Sequence, residues 1–393
     1  MLLRKNTLLF KAFYLFTVLL FLNACESDDN DPEQLGSAFF IVSLSDKHTI
    51  PQVTATGSGS AALILNRDSG GLSGSVSLNS LTGDASAVHI HQGIAGDTGA
   101  VVVTLEQDLA NTNLFNIPSS TTLSSSEITS ILNSEFYINV HTTTNPSGEI
   151  RGQIVNDNDK IIFNSLNGDN QVPSPVATSN SALSFITVNM SSGLIRGVIL
   201  TSGLDAANAV HIHDGFAGET GDPVTSLVKD DSIWRIDDNI TLDSSQLTKL
   251  LAGGMYLNIH TSSFANGEVR GQIAAENITI SRDLLDGSQS VPAVITSATG
   301  IAYTTYNTTD NNLNANIRTS NLAATSAHIH AGAVGNTGAV VSTFIQDSID
   351  TDFWSVSDML SGTDIDDYLS GNLYFNVHST ANQNGEIRSQ INP

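Results

Sequence analysis

A threefold internal repeat constrains this chain more than any other feature of its sequence. The segment AVHIHQGIAGDTGAVV returns as AVHIHDGFAGETGDPV and again as SAHIHAGAVGNTGAVV. Its first histidines, His89, His211 and His328, lie 122 and then 117 residues apart. A unit of that length is large enough to bury a core of its own, so the repeat predicts three domains in tandem.

A second repeated segment helps to set the domain boundaries. It reads YINVHTTTNPSGEIRGQI, then YLNIHTSSFANGEVRGQI, then YFNVHSTANQNGEIRSQI, and it lies near the end of each unit. The joins carry only short polar links, NDNDK and AAEN, so we expect the units to follow one another closely. We place the three domains at residues 36–156, 157–276 and 277–393.

Short β-branched segments bounded by Gly, Asn, Asp and Ser dominate each unit and predict strands. Examples are SAALILN, GSVSLNSL and AVVVTL. One short helix per unit is expected at SSSEITSILNS, DSSQLTKLLAG and TDIDDYLSG, the first two with capping-box spacing. The loop GIAGDTGA reads as a turn whose glycines take positive φ. The predicted fold class is all-β: three antiparallel β-sandwich domains, each with one short helix.

Strand alternation assigns the histidines to one face of the predicted sheet. In AVHIH, Val88 and Ile90 share one face, and His89 and His91 share the other. The apolar face should meet the core, so the histidines should project from the outer surface of the sheet. If the YINVH strand is a neighbour, His141 can approach the pair.

The first 35 residues indicate export and attachment to a membrane. Segment 1–24 has three basic residues followed by a short apolar run, which is typical of a signal peptide. It ends in LNAC, which resembles a bacterial lipobox with Cys25 as the lipidated residue. Residues 25–35 form an acidic tether resembling that of surface-exposed lipoproteins. We expect a lipid-anchored protein of the outer membrane, facing the surface or else the periplasm; the alternative is an ordinary signal peptide with an unrelated cysteine.

The charge and the cysteine count exclude several classes of site. The formal net charge is −24, which excludes nucleic-acid binding because phosphate needs a basic surface. A negative surface is compatible with attraction of metal cations. Cys25 is the only cysteine, so the folded domains have neither a disulfide nor a thiolate metal site.

Histidine placement points to a metal site in each domain. Nine of the ten histidines fall in the repeated motifs, and only His48 lies outside them. Three converging imidazoles suit copper, with zinc as the second choice, and leave a coordination position open. The alternative is that each histidine is a structural hydrogen-bond donor to loop carbonyls, to hydroxyls such as that of Tyr137, or to the glutamate of the GE pair. The candidate metal ligands are His89, His91, His141, His211, His213, His260, His328, His330 and His378.

A glutamate and an arginine recur two residues apart in the GEIR motif of each unit. Alternation places both on one face of the last strand, so we expect an ion pair that holds this strand. The alternative is that the arginine steers an anion towards a bound metal. The pairs are Glu149 with Arg151, Glu268 with Arg270, and Glu386 with Arg388.

The HIH, NVHT and GEIRGQI segments together resemble the CHRD domain, the repeat of chordin and of many bacterial surface proteins. The resemblance covers nearly all of the chain from about residue 36, in three copies. It departs at Ser389, which replaces the second glycine of the last motif. The resemblance implies an immunoglobulin-like β-sandwich and no well-established biochemical activity.

A more distant resemblance is to the copper/zinc superoxide dismutases, in which an H-x-H strand and a later histidine bind copper. It implies copper at His89, His91 and His141, with Arg151 nearby, and the same arrangement in the other two copies. The chain has no bridging fourth histidine, zinc-loop cluster or cysteine pair, so the resemblance does not extend to a zinc site or a disulfide.

Three functions remain open at this point. The leading hypothesis is a binding or adhesion module with an extracellular protein partner and a three-histidine copper site per domain. The second is a copper-dependent redox enzyme of the superoxide dismutase type. The third is a purely structural surface or matrix repeat protein without metal. No Ser/His/Asp or Cys/His nucleophile set is evident, so hydrolytic catalysis is not expected.

Overall fold

The computed structural model describes residues 36–393; the predicted signal peptide, Cys25 and the tether lie outside the described residues. Within the described range, no helix has the length and apolar character needed to cross a lipid bilayer. Antiparallel strands make up most of the regular structure, and the three short helices lie one in each repeat. The chain is therefore all-β with three tandem domains, as predicted.

The first domain packs a five-stranded sheet against a four-stranded sheet. The sheet orders are β1-β2-β3-β7-β6 and β5-β4-β8-β9. The elements are β1 Ser37–Leu44, a 3-10 turn Asp46–His48, β2 Ser58–Asn66, β3 Leu72–Asn79, β4 Ala85–Gln92, β5 Val101–Thr104, β6 Glu106–Gln107, β7 Leu114–Asn116, α1 Ser125–Leu132, β8 Phe136–Thr142 and β9 Ile150–Ile154.

The second domain repeats this arrangement strand for strand. Its sheets run β10-β11-β12-β16-β15 and β14-β13-β17-β18. The elements are β10 Asp159–Leu166, a 3-10 turn Gly168–Asn170, β11 Ser181–Asn189, β12 Ile195–Ser202, β13 Ala207–Asp214, β14 Pro223–Ser226, β15 Val228–Asp230, β16 Ile233–Ile236, α2 Ser244–Leu251, β17 Met255–Thr261 and β18 Val269–Gln272.

In the third domain the two sheets join into one of nine strands. The order is β23-β22-β26-β27-β19-β20-β21-β25-β24. The join is a single pairing, Asp286 with Arg388, and the other domains have an isolated bridge at the same place. The elements are β19 Ile278–Asp286, a 3-10 turn Gly287–Gln289, β20 Thr299–Asn307, β21 Asn312–Ser320, β22 Ala324–Ala331, β23 Val340–Thr343, β24 Ile345–Gln346, β25 Phe353–Met359, α3 Thr363–Leu369, β26 Leu373–Ser379 and β27 Ile387–Gln390.

Each domain has its own hydrophobic core between its two sheets. Val88 and Ile90 of β4 are fully buried in the first core, as alternation predicts. The helices begin where the sequence indicates. Ser124 and Glu127 form a capping box at α1, and Asp243 and Gln246 form one at α2.

Candidate metal centre

Strand pairing brings the three histidines of each domain together on the outer face of the sheet segment formed by β4 and β8 or their equivalents. β4 lies antiparallel to β8, with His89 opposite Asn139 and Ala87 opposite His141. The ring centroids of His89 and His141 are 5.0 Å apart, and those of His89 and His91 are 5.7 Å apart. The predicted approach of His141 to the pair is therefore seen.

The same convergence occurs in all three domains. In each triad the candidate donor nitrogens lie within 4.8 Å of one another. A metal with nitrogen bonds of about 2.0–2.1 Å places tetrahedral donors roughly 3.3 Å apart, so a modest closing of the triad would suffice. The groups are His89, His91 and His141; His211, His213 and His260; and His328, His330 and His378.

Backbone carbonyls determine which nitrogen of two histidines faces the site. Nδ1 of His91 lies 2.9 Å from the carbonyl oxygen of Gly99, and Nδ1 of His141 lies 2.8 Å from that of Pro146. A carbonyl only accepts hydrogen bonds, so both Nδ1 atoms carry the proton and both Nε2 atoms present a lone pair. The equivalent contacts in the other domains measure 2.9–3.0 Å.

In the second and third domains, the remaining histidine of the triad turns Nδ1 towards the site. Nδ1 of His211 lies 3.2 Å from Nε2 of His260, and Nδ1 of His328 lies 2.9 Å from Nε2 of His378. Because the Nε2 atoms are acceptors, this Nδ1 carries the proton here, and it would hold a metal ion only after that proton moved to Nε2 of the same ring. In these two domains the candidate donor set is therefore one Nδ1 and two Nε2, whereas in the first domain Nε2 of His141 lies 3.4 Å from the side-chain nitrogen of Asn139.

One nitrogen in each triad is buried without any partner. Nε2 of His91, His213 and His330 is enclosed and makes no hydrogen bond. A buried acceptor without a donor costs on the order of 1–3 kcal/mol, and the same cost is present at the same atom in every domain. A cation held by the triad would satisfy this lone pair, since each histidine has a donor nitrogen within 4.8 Å of those of the other two.

The electrostatic environment favours the neutral form of the two H-x-H histidines in each domain. Burial lowers the pKa of His89, and the neighbouring His141 and His91 lower it further. Burial also lowers the pKa of His91, although the hydrogen bond to Gly99 opposes this. The second and third domains show the same directions. Neutral imidazoles are the form that ligates metals.

A stack of three side chains supports the triad from one side. The His91 ring is parallel to that of Tyr137, with centroids 4.9 Å apart. The guanidinium carbon of Arg151 lies 3.5 Å from the centre of the same tyrosine ring, on the side of β9. The tyrosine hydroxyl accepts a hydrogen bond from the Gly99 N–H. Tyr256 with Arg270, and Tyr374 with Arg388, repeat this arrangement.

The arginine in this stack holds the glycine loop, which we define as residues 93–99. Arg151 donates to the carbonyl oxygens of Asp97 at 2.6 Å and Ile94 at 3.4 Å. Burial lowers the pKa of Arg151 to about 10, which leaves it charged at neutral pH. Its guanidinium is buried under the loop and does not face solution, so the contacts give no support to anion steering.

The ion pair expected between the glutamate and the arginine is wrong in all three domains of the described chain. Glu149 accepts hydrogen bonds from the Thr82 N–H and hydroxyl and from the Thr142 hydroxyl. Gly148, at φ 130°, and Glu149 precede β9, so alternation within that strand does not extend to the glutamate. Glu268 and Glu386 are likewise bound by hydroxyl and amide groups, and Arg270 and Arg388 by loop carbonyls.

The tyrosine of the stack is the residue that sequence reasoning missed. Tyr137 lies on the outer face with the histidines and is nevertheless buried, because His91 and Arg151 cover its two sides. A signal was present: the second repeated segment begins with tyrosine in every copy. A large side chain retained on a predicted outer face indicates that something packs over it.

Comparison with known proteins supports the three-domain reading. A family model for the CHRD domain matches residues 40–154, 162–273 and 282–391. A search of the curated proteins and a search of the solved structures gave no match. The three matches cover most of the chain and include every histidine of the triads. The chain belongs to the CHRD domain family.

Proposed function

We propose that this chain is a lipid-anchored surface protein whose three CHRD domains form a binding or adhesion module, each holding one copper ion. The observation that carries the proposal is the orphaned Nε2 of His91, His213 and His330. A histidine with a purely structural role uses both ring nitrogens in hydrogen bonds, but His91, His213 and His330 use only Nδ1. The second nitrogen is buried and unused, in a histidine that has two other imidazoles beside it.

The donor chemistry favours copper over zinc. Each triad offers three imidazoles and no thiolate, a set that copper and zinc both accept, and copper(II) binds such sites more tightly. Carbonyl partners fix the tautomer of two ligands in advance, as is usual around metal-bound histidines. Zinc remains the second choice because it accepts the same three imidazoles.

The open side of the triad supports a role in binding. Three protein ligands leave at least one coordination position for water or for a donor group from a partner. His89 and His141 are only half-buried, so this position is reachable from solution. An extracellular protein that presents a histidine or carboxylate side chain would complete the site.

Residues 1–35 support the proposed location. The apolar run that ends in LNAC and the acidic segment after Cys25 are those of a lipidated, exported protein. An acyl anchor with two or more chains holds a protein stably to a membrane. We propose attachment to the outer membrane through Cys25, with the domains on the surface.

The test is electron paramagnetic resonance of the full chain, purified in detergent and loaded with copper(II). We expect a signal with nitrogen hyperfine splitting from three imidazoles, retained against an excess of zinc. The variant that combines His91→Ala, His213→Ala and His330→Ala should lose it, and the control His48→Ala, outside the triads, should keep it. Superoxide consumption by the loaded chain would instead support the redox alternative, and a folded chain without any copper signal would support the structural one.

A further inference from the structure

The outer face of the first sheet differs between the first domain and the other two. In β2, exposed and buried residues alternate, so one face is open to solution. The equivalent strands β11 and β20 are buried over most of their length on both faces. The preceding domain covers that outer face in the second and third domains.

The covering element is the glycine loop of the preceding domain. Gly96 lies so close to the second domain that a Cβ atom there would be 2.9 Å from side-chain atoms of Phe185 and Val198. Ala95 is buried in the same contact. Asp97 accepts two hydrogen bonds of 2.8 Å from the guanidinium of Arg235.

The same contact is made between the second and third domains. Gly218 occupies the place of Gly96 and packs on Tyr303 and Asn316. Asn316 also donates to the carbonyl oxygen of Ala217 at 2.6 Å, and Ala217 is buried. One kind of interface, loop on sheet, is therefore used twice in this chain.

Within the part of the chain that the structure describes, one copy of each half of this interface is unused. In the third domain, Val334 is 78% exposed and Gly335 has nothing near the position of a Cβ atom. In the first domain, the outer sheet face carries the exposed apolar residues Phe39, Ile41 and Ile64. Within residues 36–393, nothing covers either surface.

The two free halves complement each other in size. Strand register makes Ala62 the equivalent of Phe185 and Tyr303, so the free face has a small residue where the covered faces have a ring. Val334 stands where the docked loops have Ala95 and Ala217. Val334 is larger than the alanines of the docked loops, and Ala62 is smaller than the rings of the covered faces, so the two differences offset each other in packed volume.

The two free surfaces also lack the charged residues of the first interface, so their contact would not bury an unpaired charge. Asn336 replaces Asp97 on the loop, and Asn116 replaces Arg235 on the sheet, by the same register. Two amides can hydrogen-bond to each other, so the ion pair of the first interface is exchanged for a neutral pair. No unpaired charge would be buried.

We propose that a second copy of this chain docks head to tail. The glycine loop of the third domain, residues 332–338, packs on the outer face of β1–β3 in the first domain of the next copy. The contact joins two different surfaces, so each copy can bind a further copy at either end, and the assembly grows beyond the dimer into a filament or, where the rotation closes, a ring.

The test is sedimentation velocity of the full chain in detergent at rising concentration. We expect a series of species beyond the dimer, promoted by salt because screening reduces repulsion between chains of net charge −24. Val334→Asp and Ala62→Glu should each weaken association at least about tenfold, because each buries a charge in an apolar contact. Ile349→Asp, at an exposed site of the third domain outside the loop, should leave it unchanged.

Mixing the two variants distinguishes this assembly from other modes of association. The Val334→Asp chain keeps an intact sheet face, and the Ala62→Glu chain keeps an intact loop. Their equimolar mixture should form dimers and nothing larger, which also shows that both variants are folded. Three results would each overturn the proposal: a wild-type chain that is monomeric up to about 1 mM, association unaffected by either variant, or a mixture that stays monomeric.

Discussion

Glu149→Gln tests how the glutamate of the GEIR motif is held. The buried carboxylate receives hydrogen bonds from the Thr82 N–H at 2.6 Å, from the hydroxyls of Thr82 and Thr142 at 2.7 Å each, and from Asn145 at 3.3 Å. Burial acts to raise the pKa of Glu149, but these donors outweigh it and lower the pKa below its ordinary value. The carboxylate is thus stabilised as an anion by neutral donors.

Replacing this carboxylate by an amide should cost about 2 kcal/mol. A hydrogen bond to a charged group contributes roughly 1 kcal/mol more to stability than one between neutral groups. In addition, the side-chain NH₂ of Gln is a donor and would face groups that are themselves donors, so it cannot accept their hydrogen bonds. The assay is hydrogen exchange of the β8 and β9 amides at pH 7, where the anion is fully formed. A loss of 2 kcal/mol should speed exchange through opening of the first domain roughly 30-fold.

Two controls make this result interpretable. Glu106→Gln makes the same change on an exposed strand and should leave exchange unaltered. A double-mutant cycle with Arg151→Met should give a coupling below about 0.5 kcal/mol, because the two side chains have different partners. Exchange in Glu149→Gln within threefold of wild type, or a large coupling to Arg151, would refute the reasoning.

Three further predictions follow from the site and from the loop contact. The metal-free chain should lose stability as pH falls below about 6.5. Folding lowers the pKa of His89 and His91, so the unfolded state binds protons first and is favoured by acid. A melting temperature that is no lower at pH 5.5 than at pH 7.5 would contradict this. Tyr137→Phe removes the acceptor of the Gly99 N–H and should weaken copper binding by the first domain roughly tenfold, measured by chelator competition; an unchanged affinity would show that the stack does not position His91. Gly96→Ala places a methyl group on a residue with φ 89° and against side chains of the second domain. This should separate the first two domains, so the radius of gyration measured by small-angle scattering should rise. No rise would mean that the loop is not the docking element.

Local patterns in the sequence were sufficient for the fold and for much of the site. Alternation in AVHIH separates core from outer face because a strand has a period of two, and it places Val88 and His89 correctly. The third ligand, His141, follows from the recurrence of NVH or NIH in every unit. Both inferences depend only on spacing along the chain.

The role of the glutamate could not be predicted in this way. Glu149 lies after a glycine at φ 130° and before the first residue of β9, so the strand period does not apply to it. Its hydrogen-bond partner Thr82 is 67 residues away in the chain. A contact of that kind depends on the packing of two loops, which no local pattern reports.

Contacts between domains were also missed, although one sequence signal was available. The strand SALSFITVN places the large ring of Phe185 beside Ile186, whereas the equivalent outer position of SGSAALILN in the first domain is the small residue Ala62. A strand that is apolar on both faces is typical of one covered on both sides. The difference between copies of a repeat thus indicated which faces are covered.

The most direct test of metal binding is the copper stoichiometry of the full chain by elemental analysis after exposure and dialysis. We predict three copper ions per chain. The number should fall to two, one and none as His91, then His213, then His330 are successively changed to alanine, while the strand content stays constant. A folded wild-type chain that retains no copper, or a variant series that still retains three ions, would contradict the assignment of one metal site to each domain.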